Sequence, residues 1–142
     1  MLAETRFIIL IVDDSPENLS VLNGLLQPQY RVLAATSGAG ALLVASGQPK
    51  PDLILLDVMM PGMDGYEVMG KLRENETTRD IPVVFLTALS GAEDEERGLQ
   101  LGANDYITKP IKPAVVQARV RTQLEAKQAR DWLKNENAAL EA

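Results

Sequence analysis

The 142-residue chain contains neither cysteine nor histidine. Without cysteine it can form no disulfide, no thiolate nucleophile and no cysteine-ligated zinc site, and such a composition fits a reducing compartment. Without histidine it can form no Ser-His-Asp triad, no Cys-His dyad and no imidazole general base. The chemistry of this chain therefore rests on carboxylates, hydroxyls, lysine or a bound metal ion.

Long apolar runs and an excess of positive charge are also lacking. The longest apolar run, Phe7 to Val12, is far shorter than the ~20 residues that span a bilayer, and no basic leader precedes it. Twenty acidic against fourteen basic residues leave a net charge of -6, which argues against binding nucleic acid through its phosphates. We expect a soluble, cytoplasmic protein that contacts neither membrane nor nucleic acid.

The residues that are present predict one domain in which strands and helices alternate. The length is typical of a single domain, and 46% hydrophobic residues are enough to form a core. Three of five apolar segments are nearly continuous runs of Ile, Leu, Val and Phe, which indicates strands covered on both faces, and the second and fifth indicate edge strands. The predicted strands are Phe7 to Val12, Arg31 to Ala35, Leu53 to Leu56, Ile81 to Leu86 and Asp105 to Thr108.

Polar capping residues mark where the intervening helices begin. Ser15 precedes a helix that starts at Pro16, and a much longer last helix begins near Pro113. The other predicted starts are Ser37, Asp64 and Ser90, with stops at Gly47 for the second helix and Gly102 for the fourth. The apolar stripe of the first helix is expected at Leu19, Leu22, Leu25 and Leu26, and the buried side of the third at Tyr66, Val68, Met69 and Leu72. The second helix is expected to run through Leu42, Leu43 and Val44.

Strict alternation of five strand-then-helix units predicts an α/β protein, a three-layer sandwich with right-handed crossovers. We expect a five-stranded parallel sheet in the flavodoxin-like order 2-1-3-4-5, with an extended C-terminal helix. Ligands of such sheets bind at the carboxyl ends of the strands, where the winding direction reverses between strands one and three.

Polar side chains follow four of the predicted strands. Asp13 and Asp14 follow the first, Asp57 follows the third, Thr87 closes the fourth and Lys109 follows the fifth. Each has an ordinary turn or surface explanation when taken alone, but their conjunction at one sheet edge indicates a site. Three carboxylates in one pocket repel one another and require a cation. Magnesium fits best, because it prefers oxygen ligands and needs only one or two carboxylates besides a phosphate.

The expected pocket is suited to a phosphoryl group. Three carboxylates, one divalent cation and the ammonium of Lys109 nearly cancel in charge, so an incoming anion is tolerated. Phosphoryl transfer needs positioning and charge stabilisation more than covalent chemistry, and the Thr87 hydroxyl, Lys109 and the metal could hold the three oxygens. A carboxylate such as that of Asp57 can act as the nucleophile toward phosphorus.

Four motifs, all in order, resemble the receiver domain of bacterial two-component response regulators. They are the pair Asp13 and Asp14 after an apolar strand, DVMMPGMDG from Asp57, LTA ending at Ala88, and GANDYITKP ending at Pro110. The resemblance covers about the first 125 residues. It implies a phosphorylation-activated switch, not an enzyme with a separate substrate, that accepts a phosphoryl group on Asp57 from a sensor histidine kinase or phosphotransfer protein. Such a switch promotes its own phosphorylation and its slow self-dephosphorylation.

The resemblance also implies a set of metal ligands. Asp14 and Asp57 are expected to bind Mg2+ directly, with the backbone carbonyl of Met59 as a third ligand. Asp13 is expected to help to hold the ion through water.

Phosphate contacts and a switch follow from the same resemblance. Thr87 and Lys109 are expected to bind phosphate oxygens, assisted by the backbone amide of Ala88. Tyr106 is expected to be an aromatic switch residue that turns inward when Thr87 moves, which changes the face made by the fourth and fifth strand-helix units. A cis peptide bond is expected between Lys109 and Pro110.

Two apolar residues bear on how long the phosphoryl group persists. Met59 lies two residues after Asp57, and Leu89 lies two residues after Thr87, so both are expected to flank the path of a water that attacks the aspartyl phosphate in line. Neither side chain can orient that water, which predicts slow self-dephosphorylation. The alternative is that both residues merely line a loop.

The C-terminal segment is longer than a minimal receiver needs. Pro113 to Ala139 contains no helix breaker and, at 1.5 Å per residue, reaches roughly 40 Å. Its first half is expected to pack on the sheet through Val115, Val116, Val120 and Leu124. A weak heptad with a charge at one seam position then follows at Ala126, Ala129, Leu133, Glu136 and Leu140. We expect residues 1–124 to form the receiver domain and residues 125–142 to form a projecting helical linker toward an output module.

The linker suggests an output. The segment from Ala118 to Leu140 is similar to linkers that lead from receivers into cyclic-di-GMP enzymes, most of all HD-GYP phosphodiesterases. A diguanylate cyclase output and a single-domain regulator are the alternatives. We expect the receiver part of a larger regulator that forms a homodimer on activation through the pairing of two such helices.

Three rival functions fit the residues less well. A flavodoxin-like flavin binder needs a Ser/Thr- and Gly-rich phosphate loop after the first strand, where Asp13 and Asp14 would repel the flavin phosphate. A haloacid-dehalogenase-type phosphatase carries its second acid two residues after the nucleophile, whereas Val58 and Met59 follow Asp57. A degenerate receiver that serves only as a scaffold is disfavoured, because no member of the expected residue set is missing.

Overall fold

The computed structural model describes the backbone of residues 6–141 and the side chains of residues 6–136. Five strands and five helices alternate along this part of the chain. The strands are β1 (Ile8–Val12), β2 (Arg31–Ala35), β3 (Leu53–Leu56), β4 (Val83–Thr87) and β5 (Asp105–Thr108). The helices are α1 (Pro16–Leu26), α2 (Gly38–Ala45), α3 (Gly65–Glu74), α4 (Ala92–Gln100) and α5 (Pro113–Glu141).

The strands form one parallel sheet in the order β2-β1-β3-β4-β5, which confirms the predicted architecture. The two predicted edge strands, β2 and β5, are the edges. Val12 pairs with Leu56 in the ladder between β1 and β3, so these neighbouring strands end side by side. The residues that follow them, Asp13 and Asp57, therefore lie at the same edge of the sheet.

Alternate residues of the central strands enter two separate cores. In β1, Ile9 and Ile11 face the layer of α1 and α5, whereas Leu10 and Val12 face the layer of α2 and α3. All four are at most 2% exposed. Burying a large aliphatic side chain stabilises a fold by roughly 1.5–3 kcal/mol, so the sheet is a firm support for the residues at its carboxyl edge.

Most of the predicted helix starts are confirmed, and the prediction for α4 is wrong. First-turn N–H groups donate, at 2.9 to 3.3 Å, to the side chains of Ser15, Ser37 and Asp64. Ser90 does not open the fourth helix. Gly102 does end it as predicted, since it follows the C-cap Leu101 with a φ of 102° and its N–H donates to the carbonyl of Leu99 at 3.0 Å. The residue before α4 is Gly91, which has no side chain that could cap the helix. The backbone geometry of the preceding loop, and not a polar side chain, therefore decides where α4 begins.

Two strands begin later than predicted. β1 begins at Ile8 instead of Phe7, a difference at a fraying end. β4 begins at Val83 instead of Ile81, because Pro82 has no N–H to donate to the sheet ladder.

One predicted core contact is wrong, because Val115 of α5 is 38% exposed. In α2, Leu43 is 76% exposed. The buried residues of α2 are small ones, Gly38, Ala41 and Ala45. Because small residues let this short helix lie close to the sheet, the larger leucine stays outside. The other predicted residues of the first half of α5 are buried as expected, namely Val116, Val120 and Leu124.

The second half of α5 keeps contact with the rest of the domain. Lys127 lies 3.4 Å from the carboxylate of Asp52, and Lys134 lies 3.8 Å from that of Asp80, both at the amino-terminal edge of the sheet. The division at residues 124 and 125 stays a prediction. The side chain of Leu140 in the predicted heptad, and residue 142, lie outside the described residues. Within the described residues, no helix combines the length and the apolar character that crossing a bilayer requires.

Helix α3 begins directly against the loop that follows β3. A Cβ atom at Gly65 would collide with the carbonyl oxygen of Asp57 and would lie 2.7 Å from the Cα of Val58. The N–H of Gly65 donates to the carbonyl of Val58 at 2.8 Å. Glycine at this position therefore allows the close approach that fixes the backbone beneath Asp57.

We expect Gly65→Ala to lower the free energy of unfolding by about 1–3 kcal/mol, because the backbone must move to admit the methyl group. Gly70 in the same helix is the matched control, since a Cβ there meets nothing within 4 Å. Gly70→Ala should instead raise the free energy of unfolding by about 0.5–1 kcal/mol. Chemical denaturation measures both values, and equal effects would contradict the close approach at Gly65.

Candidate functional site

Three carboxylates meet at the carboxyl edge of the sheet. Asp13 and Asp14 follow β1, and Asp57 follows the neighbouring β3. One carboxylate oxygen of each lies within 4.8 Å of those of the other two. Asp13 and Asp57 are 2% and 6% exposed, whereas Asp14 is exposed. The structure thus brings the three predicted acids together in a pocket that is open to solvent on the side of Asp14.

Asp13 is held by three donors. Its Oδ1 accepts the N–H of Ser15 at 2.9 Å, and its Oδ2 accepts the side-chain amide of Asn18 at 3.2 Å and the ammonium of Lys109 at 2.7 Å. Such a carboxylate keeps a fixed orientation. Asn18 was not identified from the sequence. The signal that could have found it is the predicted start of α1 at Pro16, because the first turn of that helix brings residue 18 back toward Asp13.

Lys109 reaches the pocket from the loop that follows β5. Its Nζ lies 2.7 Å from Asp13 and 3.5 Å from Asp57, and its side chain is 17% exposed. The peptide bond between Lys109 and Pro110 is cis, as predicted. The sequence associated Lys109 with a phosphoryl group on Asp57, yet its nearer partner is Asp13. The ammonium therefore bridges two carboxylates that follow neighbouring strands and reduces their mutual repulsion.

The electrostatic environment of Asp57 is dominated by burial. Loss of water raises the pKa of the Asp57 carboxyl above its ordinary value, Lys109 opposes that rise, and Asp13 adds to it. Hydrogen bonds from the Thr87 hydroxyl and from the N–H of Met59, the latter at 3.3 Å, also lower the pKa but do not restore it. The ionised carboxylate is thus less stable here than in water, which favours its neutralisation by a cation or by a covalent bond.

Thr87 connects Asp57 to the loop that leads into α4. It is the last residue of β4 and is fully buried. Its hydroxyl lowers the pKa of the Asp57 carboxyl and accepts the N–H of Leu89 at 3.4 Å. Ala88, between them, is exposed at the end of the strand. Thr87 therefore connects the surroundings of the Asp57 carboxyl to the backbone of this loop.

Tyr106, in the neighbouring strand β5, hydrogen-bonds to the same loop between β4 and α4. It is 7% exposed, and its hydroxyl donates to the carbonyl of Leu89 at 3.0 Å. Burial raises the pKa of this phenol. The ring centroid of Phe85 lies 5.9 Å from that of Tyr106 and 5.5 Å from that of Tyr66. Tyr106 is thus buried in this structure, and its role as a switch residue stays a prediction.

Tyr66, which the sequence predicts as a core residue, also connects α3 to α4. Its hydroxyl donates to the carbonyl of Asp94 at 3.1 Å, and the guanidinium of Arg97 lies 4.3 Å from its ring centroid, an attractive arrangement. A Cβ at Gly98 of α4 would lie 2.9 Å from the rings of Phe85 and Tyr106, so this helix packs closely on the aromatic side chains. The sequence does not predict these contacts, because they depend on how the fold places α3 and α4 next to each other.

Met59 and Leu89 lie in the loops that follow Asp57 and Thr87. Met59 is 57% exposed, and Leu89 is partly buried. Both line a groove of about 520 Å³ that also contains Tyr66 and Arg97. Their position beside the path of an attacking water stays a prediction.

Comparison with known proteins gives a family match over most of the chain. Residues 9–121 match the response regulator receiver domain. The chain is 47% identical over 133 residues to a Vibrio cholerae serotype O1 protein named "Probable cyclic di-GMP phosphodiesterase". The alignment covers 94% of this chain and 30% of that protein. It is also 46% identical over 132 residues to response regulator PleD of Caulobacter vibrioides. That alignment covers 92% of this chain and 29% of PleD. The chain thus spans less than a third of the length of these relatives.

Solved structures agree with the family match. The BeF3-activated DrrB receiver domain superposes with a TM-score of 0.77 at 34% identity, covering 85% of this chain and 99% of that one. The chemotaxis protein CheY4 of Vibrio cholerae superposes with a TM-score of 0.78 at 28% identity, covering 83% and 98%. The sheet order and the acidic cluster at the carboxyl edge of the sheet agree with this family match. The chain belongs to the response regulator receiver domain family.

Proposed function

We propose that this chain is a phosphorylation-activated switch that accepts a phosphoryl group on Asp57 from a sensor histidine kinase or a phosphotransfer protein. Receiver domains are phosphoacceptors and do not catalyse a separate reaction. The observation that carries the proposal is the buried Asp57 carboxyl beside Asp13, Thr87 and Lys109. A nucleophile, a cation and a hydroxyl donor are thus present in one pocket.

The donor set fits a magnesium ion. Receiver domains bind Mg2+ at their acidic pocket, and this ion prefers carboxylate and carbonyl oxygens. We assign Asp14, Asp57 and the backbone carbonyl of Met59 as its direct ligands, and Asp13 as the residue that holds it through water. When bound, the ion would offset the negative charge of the carboxylates and of the phosphoryl oxygens.

In the transfer step, a carboxylate oxygen of Asp57 attacks the phosphorus of a phosphohistidine donor. The new O–P bond forms while the P–N bond breaks, and the electron pair of the broken bond stays on the donor nitrogen. The ammonium of Lys109 and the hydroxyl of Thr87 would donate to the phosphoryl oxygens, with the amide of Ala88 as a further donor. The chain would thus promote its own phosphorylation by positioning and charge.

Phosphorylation would be read out through the loop between β4 and α4. The Thr87 hydroxyl accepts the N–H of Leu89, and the Tyr106 hydroxyl donates to the carbonyl of the same residue. If Thr87 turned toward a phosphoryl group on Asp57, Leu89 and Tyr106 would have to adjust with it. This coupling supports a switch that changes the face made by α4, β5 and α5.

Beyond the receiver, we propose a larger regulator that forms a homodimer on activation and has an HD-GYP cyclic-di-GMP phosphodiesterase as its output. The relative named as a cyclic di-GMP phosphodiesterase supports this output, although the chain spans only 30% of it. A diguanylate cyclase output and a single-domain regulator are the alternatives, and the relative PleD is named only as a response regulator. A kinase partner fits a cytoplasmic location, and the net charge of -6 argues against direct contact with nucleic acid.

Incubation with acetyl phosphate and Mg2+ should add one phosphoryl group to the wild type and none to Asp57→Asn, as measured by intact mass. Lys109→Ala should slow the addition about 100-fold, because one donor to the phosphoryl oxygens is lost. Asp80→Asn removes a carboxylate at the opposite edge of the sheet and is the matched control with unchanged phosphorylation. Phosphorylation of Asp57→Asn at the wild-type rate would contradict the assignment of the acceptor.

In the metal-free protein at neutral pH, Asp57→Asn should raise the midpoint of thermal unfolding. The folded pKa of Asp57 lies above its unfolded value near 3.8, so the ionised carboxylate destabilises the fold. That loss is complete above the folded pKa and vanishes below the unfolded one. The gain from the substitution should therefore shrink as the pH falls through this window. Calorimetry in the presence of a chelator, with the exposed Asp14→Asn for comparison, tests this; a gain independent of pH is the contrary result.

Met59→Asn should speed the loss of the phosphoryl group about tenfold, because an amide can orient an attacking water that the thioether cannot. Leu89→Gln should act in the same direction. The rate is followed by intact mass after removal of the phosphoryl donor. Leu43→Asn, a polar substitution at an exposed site far from the pocket, is the control. Wild-type decay in both Met59→Asn and Leu89→Gln would show that these residues only line a loop.

A further inference from the structure

Helix α4 is attached to the domain with little help from its own side chains. The residue of this helix that is buried is Gly98, which packs closely on the rings of Phe85 and Tyr106. Leu99, the large apolar residue that follows it, is 44% exposed. Because little apolar surface of the helix is buried, single hydrogen bonds decide where its two ends lie.

The carboxyl-terminal end of α4 is firmly fixed. The guanidinium of Arg73 in α3 donates to the carbonyl of Gly102 at 3.1 Å. Two further hydrogen bonds join the next residues to the start of β4. The N–H of Asn104 donates to the carbonyl of Val83 at 2.7 Å, and the N–H of Val83 donates to the side-chain oxygen of Asn104 at 3.0 Å. Val83 is fully buried, so this end of the helix is attached to the rigid sheet.

The amino-terminal end of α4 has weaker support. No side chain caps its first turn, which begins after Gly91. Two phenol hydroxyls hold this end. The hydroxyl of Tyr106 donates to the carbonyl of Leu89 in the preceding loop at 3.0 Å, and the hydroxyl of Tyr66 donates to the carbonyl of Asp94 in the first turn at 3.1 Å. Tyrosines from two neighbouring elements, β5 and α3, therefore determine the position of this end.

Open space lies beside the contact of Tyr66 with Asp94. A groove of about 520 Å³ lies between the loop after β3 and the start of α4, and its lining includes Met59, Tyr66, Leu89 and Asp94. The first turn of α4 therefore borders a groove and not a packed layer. It can shift without displacing side chains of the core, unless the Tyr66 hydroxyl holds it.

The Tyr66 hydroxyl can be removed without disturbing the ring that carries it. The side chain is 6% exposed, and its ring centroid lies 5.5 Å from that of Phe85 in an edge-on contact. In an α-helix the carbonyl of residue 94 also accepts the N–H of residue 98, so loss of the phenol leaves this carbonyl with a donor. Tyr66→Phe therefore removes the contact to Asp94 and little else.

We propose that Tyr66 is a positioning residue that holds the first turn of α4 in its unphosphorylated position through the hydrogen bond to Asp94. The proposal rests on the proposed function, in which the loop at Leu89 moves when Asp57 is phosphorylated. Leu89 precedes Asp94 by five residues, so a shift of the loop displaces the first turn and breaks the contact, while the carboxyl-terminal end stays fixed. The helix then turns about that end, and Tyr66 opposes the movement.

Beryllofluoride with Mg2+, which activates the DrrB receiver domain, measures the effect of Tyr66 on the site. Half-saturation of Tyr66→Phe should occur at about one-fifth of the beryllofluoride concentration that the wild type needs, because one hydrogen bond no longer opposes the bound state. The intensities of amide NMR signals follow the titration. Tyr30→Phe removes a hydroxyl from the opposite side of the sheet and is the matched control with wild-type half-saturation. Half-saturation of Tyr66→Phe at or above the wild-type concentration would overturn the proposal.

Hydrogen exchange at single amides tests which end of α4 moves. The N–H of Glu95 donates to the carbonyl of Gly91 in the first turn, and the N–H of Leu101 donates to the carbonyl of Arg97 in the last turn. Without beryllofluoride, Tyr66→Phe should speed exchange at Glu95 about fivefold and leave Leu101 unchanged. A general loss of stability would speed exchange at both amides. Faster exchange at both, or at neither, is the result that contradicts the role assigned to Tyr66.

Failure of this proposal can be told apart from failure of the proposed function. If beryllofluoride binds the wild type but not Asp57→Asn, and Tyr66→Phe changes neither half-saturation nor exchange, the acceptor site stands and the role of Tyr66 is wrong. If beryllofluoride binds neither the wild type nor any variant, while exchange at Glu95 alone rises in Tyr66→Phe, the attachment of α4 by Tyr66 stands and the phosphoacceptor function falls.

Discussion

Compensation of negative charge at one edge of the sheet is the constraint on which the rest of the structure depends. Asp13 and Asp57 lie together because β1 and β3 pair in register up to Val12 and Leu56, and both acids are removed from water. Such a pair destabilises a fold unless a cation approaches it. Lys109 provides that cation from the loop after β5. The two apolar cores hold the strand ends against this repulsion, so the packing of the sheet is also a condition of its chemistry.

The sheet and the membership of the site were predictable for a common physical reason. Strands that are buried on both faces must be apolar along their whole length, so they are visible as runs of Ile, Leu, Val and Phe. In a parallel sheet, all carboxyl ends point to one edge. Once the strands were identified, Asp13, Asp57, Thr87 and Lys109 had to converge. The closer attachment of Lys109 to Asp13 could not be predicted, because strand order does not specify which of two neighbouring acids a flexible side chain approaches.

Predictions failed where local signals conflict with packing. Ser90 has the residue type of a helix cap, but α4 begins after Gly91 and no side chain caps its first turn. The apolar pattern of α5 predicts Val115 in the core, yet it is 38% exposed, because Val116, Val120 and Leu124 define the side of the helix that faces the sheet. The contact of Tyr66 with Arg97 depends on the relative placement of two helices. Periodicity indicates which residues share a face, but not which partners they meet.

The carboxylate of Asp52 joins two distant parts of the domain. One oxygen accepts the N–H of Ile8, the first residue of β1, at 2.8 Å, and the other lies 3.4 Å from Lys127 in α5. The strand that starts at Ile8 ends next to Asp13, so a single extended segment spans from the anchorage of the helix to the acidic pocket. Coupling between two sites acts in both directions. A displacement of α5 that moved Lys127 would accordingly act, through Asp52 and β1, on the strand end that carries Asp13.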